Sequence, residues 1–131
     1  MVGIHVGPCV GDVATVLLHG AAGAWTTWMP LIAASARSGS PLSDLVLIDL
    51  PGWGDSPGPV PSPAVLACVV ADVVRAAGYE RWVVVGHSLG GVVALDVAAR
   101  FPHRTLGVGL VSASGASVRD AVRRPVRGGI R

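Results

Sequence analysis

Four short apolar runs divide the chain, and three of them are followed within two residues by a glycine. Val13–Leu18 (VATVLL) ends at His19-Gly20, Leu45–Leu50 (LVLIDL) at Pro51-Gly52, and Trp82–Val85 at Gly86. The fourth, Leu106–Ser112 (LGVGLVS), is weakened by Gly107 and Gly109. Their apolar character is continuous rather than alternating, which predicts strands buried on both faces, as in a parallel sheet. Helical patterns lie between them. Thr27–Arg37 is a weak one, with Pro30 tolerable only in its first turn. Ser62–Ala77 is stronger: Ser62 can cap, Pro63 suits the first helical position, and Gly78 sits where a helix ends. Leu89–Arg100 is apolar almost all round and stops before Pro102, which predicts a largely buried helix. The alternation of strand and helix predicts an α/β doubly wound fold with helices on both faces of the sheet. No internal repeat is visible, and the stiff Gly58–Pro63 segment reads as a loop within the domain.

The length of 131 residues suits one domain. Hydrophobic residues make up 51% of it and charged residues only 14%, so there is ample material for a core. No apolar run reaches the roughly 18 residues needed to cross a bilayer, and the nearest, 64–74, is interrupted by Asp72. The opening MVGIHVGPC lacks a cationic segment ahead of an apolar one, so no secretory signal and no membrane partner are expected, and a cytoplasmic location is. Cys9 and Cys68 make no disulfide framework; Cys68 reads as a small core hydrophobe on a helix and Cys9 as a loop residue.

The net charge of +2 conceals an asymmetry. Residues 1–114 carry five arginines against seven carboxylates, and residues 115–131 carry five arginines against Asp120 alone. The second segment reads as a basic tail. Such a tail can meet nucleic acid, but this one has no interleaved aromatics and no recognisable module, so no nucleic-acid partner is expected.

The stretch Val83–Gly91 (VVVGHSLGG) holds the pattern G-x-S-x-G between a predicted strand and a predicted helix. This is the nucleophile-elbow pattern: a sharp turn presents the serine hydroxyl, and glycines on either side remove the Cβ atoms that would clash. The simpler alternative is a tight turn whose serine only caps the helix. At the N-terminus of Leu89–Arg100, Ser88 would stand where backbone N–H groups and the helix dipole favour a developing oxyanion.

Three motifs, VLLHGAAGAW (Val16–Trp25), DLPGWGDS (Asp49–Ser56) and GHSLGG (Gly86–Gly91), resemble in order and spacing the N-terminal half of an α/β-hydrolase. The resemblance is to the capped type that includes esterases, epoxide hydrolases and carbon–carbon bond hydrolases, and it runs from the third through the sixth strand of that fold. It implies an α/β-hydrolase fold, incomplete, over residues 1–114. Residue by residue, it implies Ser88 as nucleophile and the N–H of Leu89 as one oxyanion donor. The other donor lies in the loop after His19-Gly20, with Ala21 ahead of Ala22. His19 would orient that loop, and the Asp49–Ser56 segment would be a turn braced by Asp55 and Ser56, with Asp49 as a brace and a catalytic acid as its alternative. His87, next to Ser88 at a strand end, would face away from it. His5 and His103 are read as surface positions in loops. Trp25 and Trp28 would be core or rim rather than pocket, and Asp96 would need a partner if buried.

Relatives of this kind continue through a cap, a strand followed by an Asp, and a strand followed by a His, whereas no histidine follows His103 here. The resemblance implies a serine hydrolase acting on an ester, thioester or similar small-molecule carbonyl substrate through an acyl-serine, with no metal or organic cofactor. For the 131 residues alone, activity is not expected. Three readings stay open: a hydrolase cut short, with 115–131 as the start of a cap or an out-of-frame end; a noncatalytic binding module; and one half of a split enzyme whose acid and base come from a complementing chain.

Overall fold

The computed structural model describes residues 4–54, 56 and 58–113. The expected basic tail therefore lies outside the described residues, as does Asp55. The elements run β1 (Ile4–Val6), β2 (Val13–Leu18), a 3-10 turn (Trp25–Trp28), α1 (Met29–Arg37), β3 (Leu45–Ile48), α2 (Pro63–Ala76), β4 (Arg81–His87), α3 (Leu89–Arg100) and β5 (Thr105–Val111). Four strands pair in parallel, and the sheet order is β1-β3-β2-β4-β5.

All four strands expected from the apolar runs are present; β2 has the expected bounds and the ends of the others differ by at most two residues. The chain signals at α2 act as read. The Ser62 hydroxyl accepts the Val65 N–H, Pro63 opens the helix, and Gly78 closes it at φ 101°, a left-handed conformation open to glycine. Pro30 sits in the first turn of α1. A fifth strand was not expected. Ile4–Val6 pairs antiparallel with β3, setting His5 opposite Leu47, so His5 belongs to an edge strand and not to a loop.

The alternation of side chains along β2 and β3 feeds two cores. Val16, Leu18, Val46 and Ile48 join Leu66, Val70 and Val74 of α2 and Val93 and Val97 of α3. Leu17, Leu45 and Leu47 face the other way, against Trp28 and the half-buried Ile32 of α1. Helices therefore cover both faces, as the fold class requires. Trp82 fills the larger core and is fully buried, and its indole N–H donates to Thr105 Oγ1. Burial on both faces fails at β5, where Leu106, Val108, Leu110 and Val111 are exposed. This strand has one sheet neighbour among the described residues, so its apolar run is an edge. Cys68 is exposed as well, contrary to expectation. The core-facing side of α2 is set by Leu66, Ala67, Val70, Ala71 and Val74, which leaves Cys68 outside.

Asp44 closes the end of the sheet that lies away from the strand C-termini. At φ 55° it is buried, and its carboxylate accepts the N–H groups of Val10 and Gly11 and the hydroxyl of Tyr79. Its own N–H donates to Pro8 and its carbonyl accepts from Thr15. The Val10 N–H, with Tyr79 and Gly11, holds the carboxyl below its ordinary value of 3.8, against the opposing effect of burial. A carboxyl with a lowered folded-state pKa contributes stability above its unfolded pKa of about 3.9 and loses it as pH falls through the lower folded value. The expected outcome is a chain whose denaturation midpoint falls steeply below about pH 4, with the Asp44→Asn variant less stable at neutral pH and flatter in acid. Urea midpoints measured across that range check it; parallel acid limbs for the two proteins would remove Asp44 from the account.

Candidate active site

The chain order of the sheet creates a crevice before any side chain is considered. From β2 the chain leaves through α1 to β3 on one side; from β4 it leaves through α3 to β5 on the other. Adjacent parallel strands whose connections diverge leave a gap beyond their carboxyl ends, where ligands bind in open α/β sheets. β2 and β4 are such a pair. Their register sets Leu18 opposite Gly86, and two residues further along it brings Gly20 beside Ser88. An open pocket of 270 Å³ lies there, walled by Gly20–Gly23 and Thr27 after β2 and by His87 and Ser88 at the end of β4.

Ser88 has φ 55° and ψ −116°, a sparsely populated conformation for a residue with a Cβ. Two backbone bonds hold it: its N–H donates to Val111 at 3.1 Å, and its carbonyl accepts from Gly91 at 2.9 Å. The hydroxyl makes no capping bond to α3, which removes the helix-cap alternative for this serine. A Cβ at Gly86 would lie 2.1 Å from the Gly90 carbonyl oxygen, and one at Gly90 would lie 2.3 Å from the Leu18 carbonyl oxygen. Both are backbone obstacles that cannot rotate away. The glycines of G-x-S-x-G are therefore required by the approach of α3 to the ends of β2 and β4.

The loop after β2 is held from beneath. His19 is fully buried; its Nε2 lies 3.0 Å from the Leu50 nitrogen, which can only donate, so Nε2 accepts and the proton resides on Nδ1. Nδ1 then donates to the Gly20 carbonyl at 2.7 Å, and the same carbonyl accepts the Gly23 N–H. Both ring nitrogens are engaged, so His19 orients the loop and is not available as a base. In a trans peptide the N–H points opposite the C=O, so anchoring the Gly20 carbonyl aims the Ala21 N–H away from His19. Trp53 does the same for the next peptide: its indole N–H donates to the Ala21 carbonyl at 2.6 Å, fixing the Ala22 N–H. Asp49, buried, accepts the Trp25 N–H at 2.7 Å, while Gly54 at φ 51° packs directly against its carboxylate. The Ser56 hydroxyl donates to the Asp49 carbonyl. Asp49 and Ser56 brace this loop.

The structure thus brings Ser88, Leu89, Ala21 and Ala22 to one place. Leu89 opens α3, where a helix leaves its first N–H groups unsatisfied and its dipole is positive. Among the described residues, no Asp, Glu, Lys or Arg lines the pocket, so the fixed charge stabilisation these residues offer there comes from backbone dipoles. Two residues of the walls escaped sequence reading. His87 does not face away from the pocket; it lines it with Ser88. Strand alternation ends at Ser88, whose backbone is not extended. Thr27 had no local signal beyond its position in the 3-10 turn. Trp28 is buried in the smaller core and Trp25 is half-buried, and neither lines the pocket. His103 is exposed in the turn after α3, at the far end of that helix from Ser88, as expected of a surface residue. Asp96 is half-buried on α3. Among the described residues, no group of three His, Cys, Asp or Glu could hold a metal ion, and no helix is long and apolar enough to cross a membrane.

The sequence pattern of a family described as alpha/beta hydrolase fold matches residues 14–128. The chain belongs to that family. Relatives agree. It is similar to the pimeloyl-[acyl-carrier protein] methyl ester esterase of Xanthomonas oryzae pv. oryzae, 38% identical over 116 residues that make up 85% of this chain and 43% of that protein. It is also similar to the dihydrolipoyllysine-residue acetyltransferase component of the acetoin cleaving system of Cupriavidus necator, 38% identical over 80% of this chain and 28% of the relative. Among solved structures, a bacterial membrane phospholipase A superposes with a TM-score of 0.77 and 28% identity, over 88% of this chain and 37% of the other. The chain spans less than half the length of each.

The glycine geometry yields a paired prediction. Gly90→Ala should lower stability by about 3 kcal/mol or prevent folding, since its Cβ meets two backbone carbonyls. Gly107→Ala meets nothing closer than 3.9 Å and should stay within about 0.5 kcal/mol of the parent. Denaturant titration of both variants decides; equal midpoints would mean that the turn relaxes around a Cβ.

Proposed function

We propose that this chain carries the nucleophile and the oxyanion donors of an esterase-type hydrolase. Ser88 Oγ attacks the carbonyl carbon of an ester, thioester or related small substrate. The bond to the leaving group breaks, an acyl-serine forms, and water releases the acid. The N–H groups of Leu89 and Ala21, with Ala22 as the alternative to Ala21, receive the oxyanion. Each such donor is worth about 10²–10³ in rate. The observation that carries the reading is Ser88 at φ 55° beside the anchored Gly20–Gly23 loop, in the same pocket. The esterase among the relatives supports the reaction class.

The general base is not drawn from the four histidines of this sequence. Both nitrogens of His19 are bonded within the loop, His103 lies one helix length from Ser88, and His87 is read as a pocket-lining residue and not as the base. His5 is on β1, separated from β4 by two strands. The acid and base are supplied by further polypeptide, covalently continuous or separate. The exposed apolar edge of β5 is where a further strand would pair. No metal or organic cofactor has a role in this mechanism.

The test is covalent labelling with a reactive alkyl phosphonofluoridate, located by peptide mass spectrometry. We expect one dominant adduct on Ser88, lost in Ser88→Ala, forming at least a hundredfold more slowly than in a full-length esterase relative. Labelling spread evenly over surface serines would remove the nucleophile assignment. Equal rates for the chain and a full-length relative would show that a base is already in place.

A further inference from the structure

The pocket has two polar side chains besides Ser88, and they differ in what they can do. The Thr27 hydroxyl rotates and can donate or accept, so it discriminates little. His87 is constrained. Its Nδ1 is buried with no hydrogen-bond partner, pressed against Gly20: a Cβ at Gly20 would lie 3.0 Å from that nitrogen and 3.0 Å from Ser88 Cβ. His87 as a whole lines the pocket, and its Nε2 is not among the buried unpaired side-chain atoms. An imidazole must place its proton on one nitrogen or the other. A buried N–H with no acceptor is the rarer and costlier arrangement, whereas a buried lone pair is better tolerated. The packing of Gly20 therefore selects the tautomer with Nδ1 bare and the proton on Nε2.

We infer that His87 is a specificity-determining residue whose Nε2–H faces the pocket as a donor and selects carbonyl substrates bearing a hydrogen-bond acceptor oxygen close to the reacting carbonyl, over plain alkanoyl groups. This rests on the reading of the pocket as an acyl site, and it gives that site a substrate class. A donor held in place by backbone packing rewards an acceptor and leaves an alkyl group facing an unpaired N–H, and a site built to hydrogen-bond rejects analogues that lack the partner. His87 moves no proton here; it contacts the substrate and sorts it. Thr27, on the wall formed after β2, is free to adapt to whichever group is chosen.

The experiment uses two unreactive, nearly isosteric probes, methoxyacetamide and butyramide, which differ by one oxygen in place of one methylene. Binding to the intact chain is followed through the backbone amide signals of residues 20–23 and 87–89. We expect methoxyacetamide to bind about fivefold more tightly, the effect of one neutral hydrogen bond. The preference should disappear in His87→Leu and survive in His87→Gln, whose side-chain amide keeps a donor. Long-range proton–nitrogen spectra of the free chain at neutral pH should show His87 protonated on Nε2. Equal affinities in the parent chain, no binding of either probe, a preference that persists in His87→Leu, or an Nδ1-protonated His87 would each overturn the assignment. Ser88→Ala should retain the preference, because neither probe reacts. A failure of Ser88 to label therefore counts against the nucleophile alone, and a missing preference against His87 alone.

Discussion

The approach of α3 to the ends of β2 and β4 is the constraint on which the rest of the site depends. At Gly86 and Gly90 the backbones stand where a Cβ would come within 2.3 Å of a carbonyl oxygen, so two glycines are the only residues that permit the contact. The contact in turn sets Ser88 in a conformation that costs of order 1–3 kcal/mol. That strain persists because the surroundings over-determine it. Val111 takes the Ser88 N–H, Gly91 takes its carbonyl, and α3 is anchored into the larger core by Val93, Ala94 and Val97. Burying three such side chains contributes several times the strain. The serine is thus presented by packing at a distance and not by anything in its own side chain.

The opposite wall follows the same logic with hydrogen bonds instead of sterics. Its functional groups are peptide N–H groups, which have no side chain through which selection could aim them. They are aimed through their carbonyls. His19 and the Gly23 N–H fix one peptide and Trp53 fixes the next, while Asp49 ties the segment that follows to the end of β3. His19 and Trp53 also meet edge to face, with ring centroids 5.8 Å apart, so the two anchors brace each other. The invariably neutral residues of the loop, two alanines and two glycines, suffice because the orienting groups lie beneath it.

Much of this was legible in the sequence, and the exceptions share a cause. The parallel strands were readable because each apolar run is short and continuous and three of the four are followed within two residues by a glycine, and α2 because Ser62, Pro63 and Gly78 mark its ends. The turn at Ser88 was readable because its requirement is local: glycines at fixed offsets between a strand and a helix. What escaped depends on contacts remote in sequence. β1 is three residues long and exists through pairing with β3 more than forty residues away. Asp44 gathers Val10, Gly11 and Tyr79 from 33 to 35 residues away, with no local signature. The outward placement of Cys68 was hidden because α2 is apolar on nearly all sides, so periodicity alone gave it no face. His87 was placed on the wrong side because the period-two rule for strands was carried one residue too far, into a backbone that has already turned.

The two walls also divide the chemistry in a way that bears on how the activity depends on chain length. Charge stabilisation, as proposed here, is local: it needs β2, β4, the N-terminus of α3 and the braces of the Gly20 loop, and all of these lie within residues 13–111. Proton transfer, on the same proposal, is not local: His19 is bonded at both ring nitrogens, and His5 and His103 lie on elements away from Ser88. In serine hydrolases the first component alone retains about 10³–10⁴ over the uncatalysed reaction, and the base and acid supply the larger remainder. A pocket of this kind therefore keeps the capacity to bind and polarise a carbonyl when it lacks the capacity to turn it over. The selection proposed for His87 belongs to this same local part. The preference exerted by His87 and by the fixed N–H groups acts on the bound carbonyl, so it is set before, and independently of, whatever polypeptide delivers the base.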